Sequence, residues 1–224
     1  MLSFFKSYKK FAIVFAMLSA IILAIFYNIL KVEKPLPIYQ PVVVNPELVD
    51  STIQYVSKYH KIADFSLTNQ NGETVTQENY KGKIYIADFF FTTCQTICPI
   101  MTNHMVQIQK EILNDNDVML LSHSVTPEID SVPQLKKYAI EKGVNDNKWN
   151  LVTGDKKKIY DLARKSYLAV KTYGTGDEYD MIHTENFMLI DKKRQIRGYY
   201  DGTNPEEIAR LLNDIKTLKK EYPK

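Results

Sequence analysis

Apolar positions along the chain change their period several times, and each change marks an element. Phe11 to Leu30 is a charge-free run of twenty residues bounded by lysines. At about 1.5 Å per residue, a helix of that length covers roughly 30 Å, the thickness of a bilayer core. Val32 to Pro46 alternates Pro35, Pro37, Pro41 and Pro46 with β-branched residues, the pattern of an extended linker. Glu47 to Tyr59 reads as a short helix or more linker. From Ile62 the pattern becomes strand-like: Phe65 and Leu67, a turn at Asn69-Gln70-Asn71-Gly72, then Val75 predict a hairpin. Ile84 to Phe91 is nearly continuous in apolar residues, as in a strand buried on both faces. Val118 to Leu121 predicts a second buried strand and Trp149 to Val152 a shorter one. Glu185 to Ile190 and Ile196 to Tyr200 form a hairpin about Asp191-Lys192-Lys193.

Helical spacing fills the intervals. The residue before a proline is pushed out of helical conformation, while proline fits the first turn. Pro99 therefore predicts a helix from 99 to about 113, with Cys98 at the cap and Met101, Met105, Ile108 and Ile112 inward. Ser131-Val132-Pro133 opens a helix to Glu141. Asp155 caps another, with Ile159, Leu162 and Ala163 inward, and Pro205 opens the last, with Ile208, Leu211, Leu212 and Ile215 on one face. Helices between the central strands imply an α/β fold: a mixed sheet with flanking helices. The closing β-β-α, with a cysteine-bearing turn near the front, points to a thioredoxin-like architecture plus one N-terminal transmembrane helix. The expected organisation is 1–10 cytoplasmic, 11–30 anchor, 31–59 linker and 60–224 thioredoxin-like domain.

Charge refines this layout. The net +3 belongs to Lys6, Lys9 and Lys10, and the rest of the chain balances 26 basic against 26 acidic residues. A neutral globular part has no electrostatic footprint for nucleic acid. The apolar run exceeds a signal-peptide core of about 7–15 residues, and no small-x-small cleavage pattern follows it. An uncleaved anchor is the reading, and without a cysteine there it is not a lipid anchor. The leading lysines hold the N-terminus in the cytoplasm, although Lys31 and Lys34 weaken the asymmetry. The domain then sits outside an inner membrane, in a periplasm or a mitochondrial intermembrane space.

Such compartments allow disulfides to persist, which sharpens the question posed by Cys94 and Cys98, the only two cysteines. Separated by three residues at a strand-to-helix turn, their Cα atoms stand ~6 Å apart, inside the disulfide window. A helix N-terminus favours thiolate, the species needed for both exchange and soft-metal binding. Redox exchange, metal binding and a structural staple are all compatible with this. The staple is the weakest, because so small a loop constrains the unfolded chain little and the domain can bury a core without it. Two thiolates holding copper or zinc want a third ligand, and the chain has four histidines. His104, on the first helix, is expected at the surface or behind the ligands. His60 is expected in an exposed segment. His123 follows the second buried strand, toward the sheet edge that carries the cysteines, and is the runner-up. His183 lies in a polar loop before a central strand, a position that packs against the cysteine turn in a thioredoxin-like fold.

These residues together resemble the SCO/SenC family. The resemblance rests on Thr93-Cys94-Gln95-Thr96-Ile97-Cys98-Pro99 with His183 about 85 residues on, and on Asp64-Phe65-Ser66-Leu67, Asn71-Gly72, Thr126-Pro127-Glu128-Ile129-Asp130, Trp149 to Gly154 and Phe187 to Asp191. It covers roughly 60–218 and includes the anchor. It implies a membrane-tethered copper protein of thioredoxin-like fold with Cys94, Cys98 and His183 as copper ligands. Such proteins deliver copper, as Cu(I) or Cu(II), to the binuclear copper centre of cytochrome c oxidase, or reduce the cysteines of that site. The chain departs from the family pattern at Gln95, where many relatives have proline. It departs again at Ile182, where many have aspartate, although Asp180 is near.

The chain is thus expected to be a copper chaperone rather than an enzyme, with a copper-bearing oxidase subunit or another copper or thiol protein as partner. The alternative is a membrane-tethered thiol-disulfide oxidoreductase, with Cys94 attacking and Cys98 resolving. A peroxidase would want an arginine at the thiolate, and the four arginines all follow residue 160.

Overall fold

A computed structural model describes residues 8–30, 35–170, 182 and 184–222. The chain divides into two compact units, residues 1–35 and 36–224. In the first, helix α1 (Lys9–Leu30) forms where the apolar run predicts it. Its described side chains are exposed all round, Phe11, Phe15 and Leu23 among them. Among the described residues no helix is long and apolar enough to cross a membrane. Within this charge-free run side chains are described only from Phe11 to Tyr27, short of the full run to Leu30.

The second unit is built on a seven-stranded sheet of order β2-β1-β5-β4-β3-β6-β7. Strands β1 (Ser66–Asn69) and β2 (Thr74–Thr76) pair antiparallel around the expected turn, where Gly72 takes a positive φ of 79°. The centre is parallel: β3 (Ile84–Phe90) pairs with β4 (Val118–Ser124), which pairs with β5 (Trp149–Thr153). Strand β6 (Asn186–Ile190) runs antiparallel to β3 and forms the closing hairpin with β7 (Ile196–Asp201). The mixed sheet and flanking helices are those of the expected thioredoxin-like class.

Because strand side chains alternate, β3 divides the core in two. Tyr85, Ala87 and Phe89 face one cluster, and Ile84, Ile86 and Phe90 the other. The second cluster is covered by α2 (Cys98–Glu111), α3 (Val132–Lys142) and α5 (Pro205–Lys220). The predicted inward set of α2 is there: Met101, Met105, Ile108 and Ile112 are buried. The first cluster is covered by the short helix α4 (Lys156–Asp161) and the π turn that continues it through Ser166. Asp155 caps α4 by accepting the Lys158 N–H at 2.8 Å.

Residues 31–59 are the expected linker. From Leu36 on, the segment packs against the sheet. The Tyr39 N–H donates to the Ile196 carbonyl at 2.9 Å, and Val49 is fully buried in the first cluster. Leu36 and Pro37 are fastened by Arg197 of β7, which donates to both their carbonyls and forms ion pairs with Asp191 at 3.1 Å and Glu221 at 2.6 Å. Proline-rich composition signals extension, and here the extended segment supplies buried apolar residues and covers an edge strand.

Candidate functional site

Strand β3 ends at Phe90, and the chain turns through Phe91 to Ile97 into α2, so the thiols stand at the C-terminal edge of the parallel strands. Ligand sites in open α/β sheets gather at this edge. The helix begins one residue earlier than expected. Ile97 is the cap, with α-like φ and ψ, and its carbonyl takes the Met101 N–H at 3.0 Å, so Cys98 is the first helical residue rather than the cap. Tertiary packing overrides the pre-proline preference here, because Cys98 must turn into the buried cluster beside Phe90 and Met101.

Both cysteines are free thiols: Cys94 is half-buried and Cys98 buried. The Cys98 N–H donates to Cys94 Sγ at 3.4 Å, and Thr96 Oγ1 lies 3.6 Å from the same sulfur. These contacts split the pair. For Cys94, burial pushes the pKa up, but hydrogen bonds from the Cys98 side chain, Thr96 and the Cys98 backbone outweigh it and bring the thiol down to about 7. For Cys98, burial pushes the thiol up to about 12, reinforced by Cys94 and by the buried carboxyl of Asp88. One sulfur is thus ready as thiolate near neutrality and the other is held protonated, an asymmetry that the spacing alone does not contain.

Asp88 lies on the same sheet face as Phe90 and is buried. Ser122 donates its hydroxyl to Asp88 Oδ1, and Trp149 Nε1 donates to Ser122 Oγ at 2.8 Å. Burial pushes the Asp88 carboxyl up to about 7, with the Ser122 hydrogen bond opposing. The sequence signal for this residue is a single acid inside an otherwise apolar strand, and sequence reasoning passed over it.

The histidines settle differently from expectation. His123, the runner-up ligand, is fully buried on the opposite sheet face from Asp88 and Cys98. It stacks on Phe89 at 4.9 Å and meets Phe65 and Tyr167 edge-on. Pairing with Phe89 in register sends its ring to the first cluster, so proximity to the sheet edge does not bring it to the thiols. His104 is not at the surface: it is buried, and its Nδ1–H donates to the Gly202 carbonyl at 2.7 Å, tying α2 to the turn before α5. His60 is half-buried rather than exposed, with Nε2–H donating to the Ser166 carbonyl at 2.8 Å. A groove of about 750 Å³ beside it, lined by Phe65, Leu162 and Ser166 among others, belongs to the first cluster's side of the sheet and carries no thiol. His183 lies outside the described residues, as does Asp180. Among the described residues no group of three His, Cys, Asp or Glu side chains is close enough to hold a metal ion.

A mixed sheet whose central strand feeds a cysteine pair at the start of the next helix defines a thioredoxin-like thiol protein. Comparison with known proteins narrows that class. The SCO1/SenC family profile matches residues 54–220, and the chain belongs to that family. It is 34% identical over 160 residues to the SCO1 protein homolog of Bacillus subtilis, spanning 70% of this chain and 82% of that protein. Among solved structures it resembles BsSco, described as a member of the Sco family of cytochrome c oxidase assembly proteins in which a disulfide switch was identified. That match has 34% identity and a TM-score of 0.60, over 71% of this chain and 93% of the other. It also resembles Arabidopsis thaliana ScoI with copper bound, at 27% identity and TM-score 0.57, over 71% of this chain and 98% of the other.

Proposed function

We propose that this chain is a membrane-anchored copper chaperone that delivers copper to the binuclear copper centre of cytochrome c oxidase, with Cys94, Cys98 and His183 holding the metal. The observation that carries the reading is the thiol pair at the head of α2, one sulfur acidified by its neighbours, in a family with a copper-bound member. Two thiolates suit Cu(I), and an imidazole helps accommodate Cu(II). The donor set fits soft-metal cargo, and copper is held only while the pair is reduced. The hydrogen bonds to Cys94 supply its thiolate, while Cys98 gives up its proton on binding, so uptake releases protons.

The anchor follows from the same reading. A helix hydrophobic all round has no soluble face, and Phe11 to Leu30 supplies the length of a bilayer core. The N-terminal ten residues are placed in the cytoplasm, 11–30 in the inner membrane, and the domain on the far side. Protease added from that side degrades the domain and spares the N-terminus; the reverse pattern overturns the orientation.

A second reading is favoured by one observation. The split between Cys94 and Cys98 suits a thiol-disulfide oxidoreductase, in which Cys94 attacks a partner's disulfide and Cys98 resolves the mixed disulfide. Titration of the reduced full-length chain in detergent with Cu(I) separates the two. Stoichiometric uptake lost in Cys94→Ser and Cys98→Ser and weakened in His183→Ala supports the chaperone. Unchanged binding in Cys98→Ser overturns it, and reduction of a partner disulfide without copper uptake favours the oxidoreductase.

A further inference from the structure

Within the turn that carries Cys94, the Cys94 N–H reaches the Phe91 carbonyl at 3.3 Å, the Cys98 N–H and the Thr96 hydroxyl reach the Cys94 sulfur, and the Phe91 backbone bonds the Cys98 thiol. Its leading end is fixed from outside. Asp130 is fully buried, and no ion pair reaches its carboxylate among the described residues. Four groups donate to it instead. Thr92 Oγ1 donates to Oδ1 at 2.5 Å, and the Thr92 N–H donates to both oxygens at 3.3 Å. Ser124 Oγ donates to Oδ2 at 2.5 Å and Thr126 Oγ1 to the same oxygen at 3.1 Å. Gln134 of α3 then donates to Thr92 Oγ1 at 3.0 Å.

A buried carboxylate is tolerated only when its lone pairs are filled. Every donor that fills this one comes from the end of β4, the loop after it, or Thr92, two residues before Cys94. Asparagine keeps one oxygen for the Thr92 N–H, which reaches both carboxylate oxygens, but makes the other position a donor, so hydroxyls that now donate there must turn to accept.

We infer that Asp130, acting through Thr92, is a positioning residue that preorganises the Cys94 turn for metal capture by the reduced thiol pair. This rests on the copper-binding reading above. Preorganisation lowers the ordering cost of binding. In this structure the network orders the turn with both thiols free, and its loss is expected to disfavour that form relative to the disulfide.

The test uses full-length chain in detergent with three variants: Asp130→Asn, Thr92→Val and Thr92→Ser. Cu(I) affinity is read by competition with a chromophoric chelator. The dithiol–disulfide equilibrium is read against dithiothreitol, which passes two electrons and two protons to the protein disulfide as it cyclises. Asp130→Asn and Thr92→Val weaken Cu(I) binding at least tenfold and shift the equilibrium at least fivefold toward disulfide. Thr92→Ser, which keeps the hydroxyl, stays within twofold of the parent in both. A folded Thr92→Val protein that matches the parent in both readouts overturns the inference, as does a Thr92→Ser protein as impaired as Thr92→Val. If Asp130→Asn fails to fold, the Thr92 pair decides alone. A parent chain that takes up no Cu(I) defeats the copper reading, while the dithiothreitol equilibrium still decides whether Asp130 positions the turn.

Discussion

The Asp88 carbonyl accepts the Nδ1–H of His123 at 3.3 Å, although the two side chains point to opposite faces of the sheet. The bond leaves His123 Nε2 as an acceptor, buried and without a hydrogen-bond partner among the described residues, inside aromatic walls. Each residue is a buried titratable group, and the two pull the pH dependence of stability in opposite directions.

Burial raises Asp88 from 3.8 to about 7, so the folded state holds a proton that the unfolded state has lost, and stability falls as pH rises across that window. Burial lowers His123 from 6.5 to about 4, so the unfolded state binds the extra proton and stability falls as pH drops from 6.5 toward 4. At about 1.4 kcal/mol per unit, the first is worth on the order of 4 kcal/mol and the second about 3. The two nearly offset each other between pH 4 and 7. In chemical denaturation followed across pH, Asp88→Asn loses stability only on the acid side, and His123→Phe loses it only as pH rises. A flat profile in both variants contradicts these protonation assignments.

Alkylation separates the thiols. With Cys94 near 7 and Cys98 near 12, iodoacetamide at pH 7.5 modifies Cys94 and leaves Cys98 at least a hundredfold slower, burial adding to the low thiolate fraction. Peptide mass spectrometry of a short time course reads the ratio directly. Equal rates show that the buried geometry of Cys98 is not that of the protein in solution.

Arg197 is the fastener between the segment leaving the N-terminal unit and the end of the chain. Its guanidinium serves Asp191, Glu221 and the carbonyls of Leu36 and Pro37, and Tyr222 donates to Asp191 at 2.9 Å. Arg197→Met leaves the buried Asp191 carboxylate without its cation and costs about 3–5 kcal/mol in urea unfolding. The same variant exposes the segment from Leu36 to limited proteolysis. A loss below 1 kcal/mol with an intact protease pattern argues against this role.

The predicted inward face of α2 has a direct test. Met105 is completely buried against the second cluster, so Met105→Ala removes packed volume and lowers stability by about 2–5 kcal/mol. Ile100→Ala, on the exposed side of the same helix, stays within about 0.5 kcal/mol.

Much of the architecture is legible in the hydrophobic pattern. The hairpin around Gly72, the double-sided burial of β3, the inward row of Met101, Met105, Ile108 and Ile112, the cap at Asp155 and the helix start at Pro205 all follow from local period and turn chemistry. The histidines are less legible. His60 was expected exposed and His104 at the surface or behind the ligands; each instead found a backbone carbonyl to satisfy it, and position 104, three after Met101, lies on the inward face of α2. His123 looked near the thiols because it is near them along the sheet edge, whereas the pleat sends it to the other side.

The pair Cys94 and Cys98, their place between a buried strand and a helix, and the apolar run from Phe11 to Leu30 were determined by the sequence itself, because each depends on neighbours within a few residues. The different acidities of the two thiols, the raised pKa of the buried Asp88 carboxyl, and the hold of Asp130 on Thr92 were decided only by tertiary structure. All three arise from burial and from donors more than thirty residues away, or from a turn whose hydrogen bonds exist only once α2 has packed on the sheet.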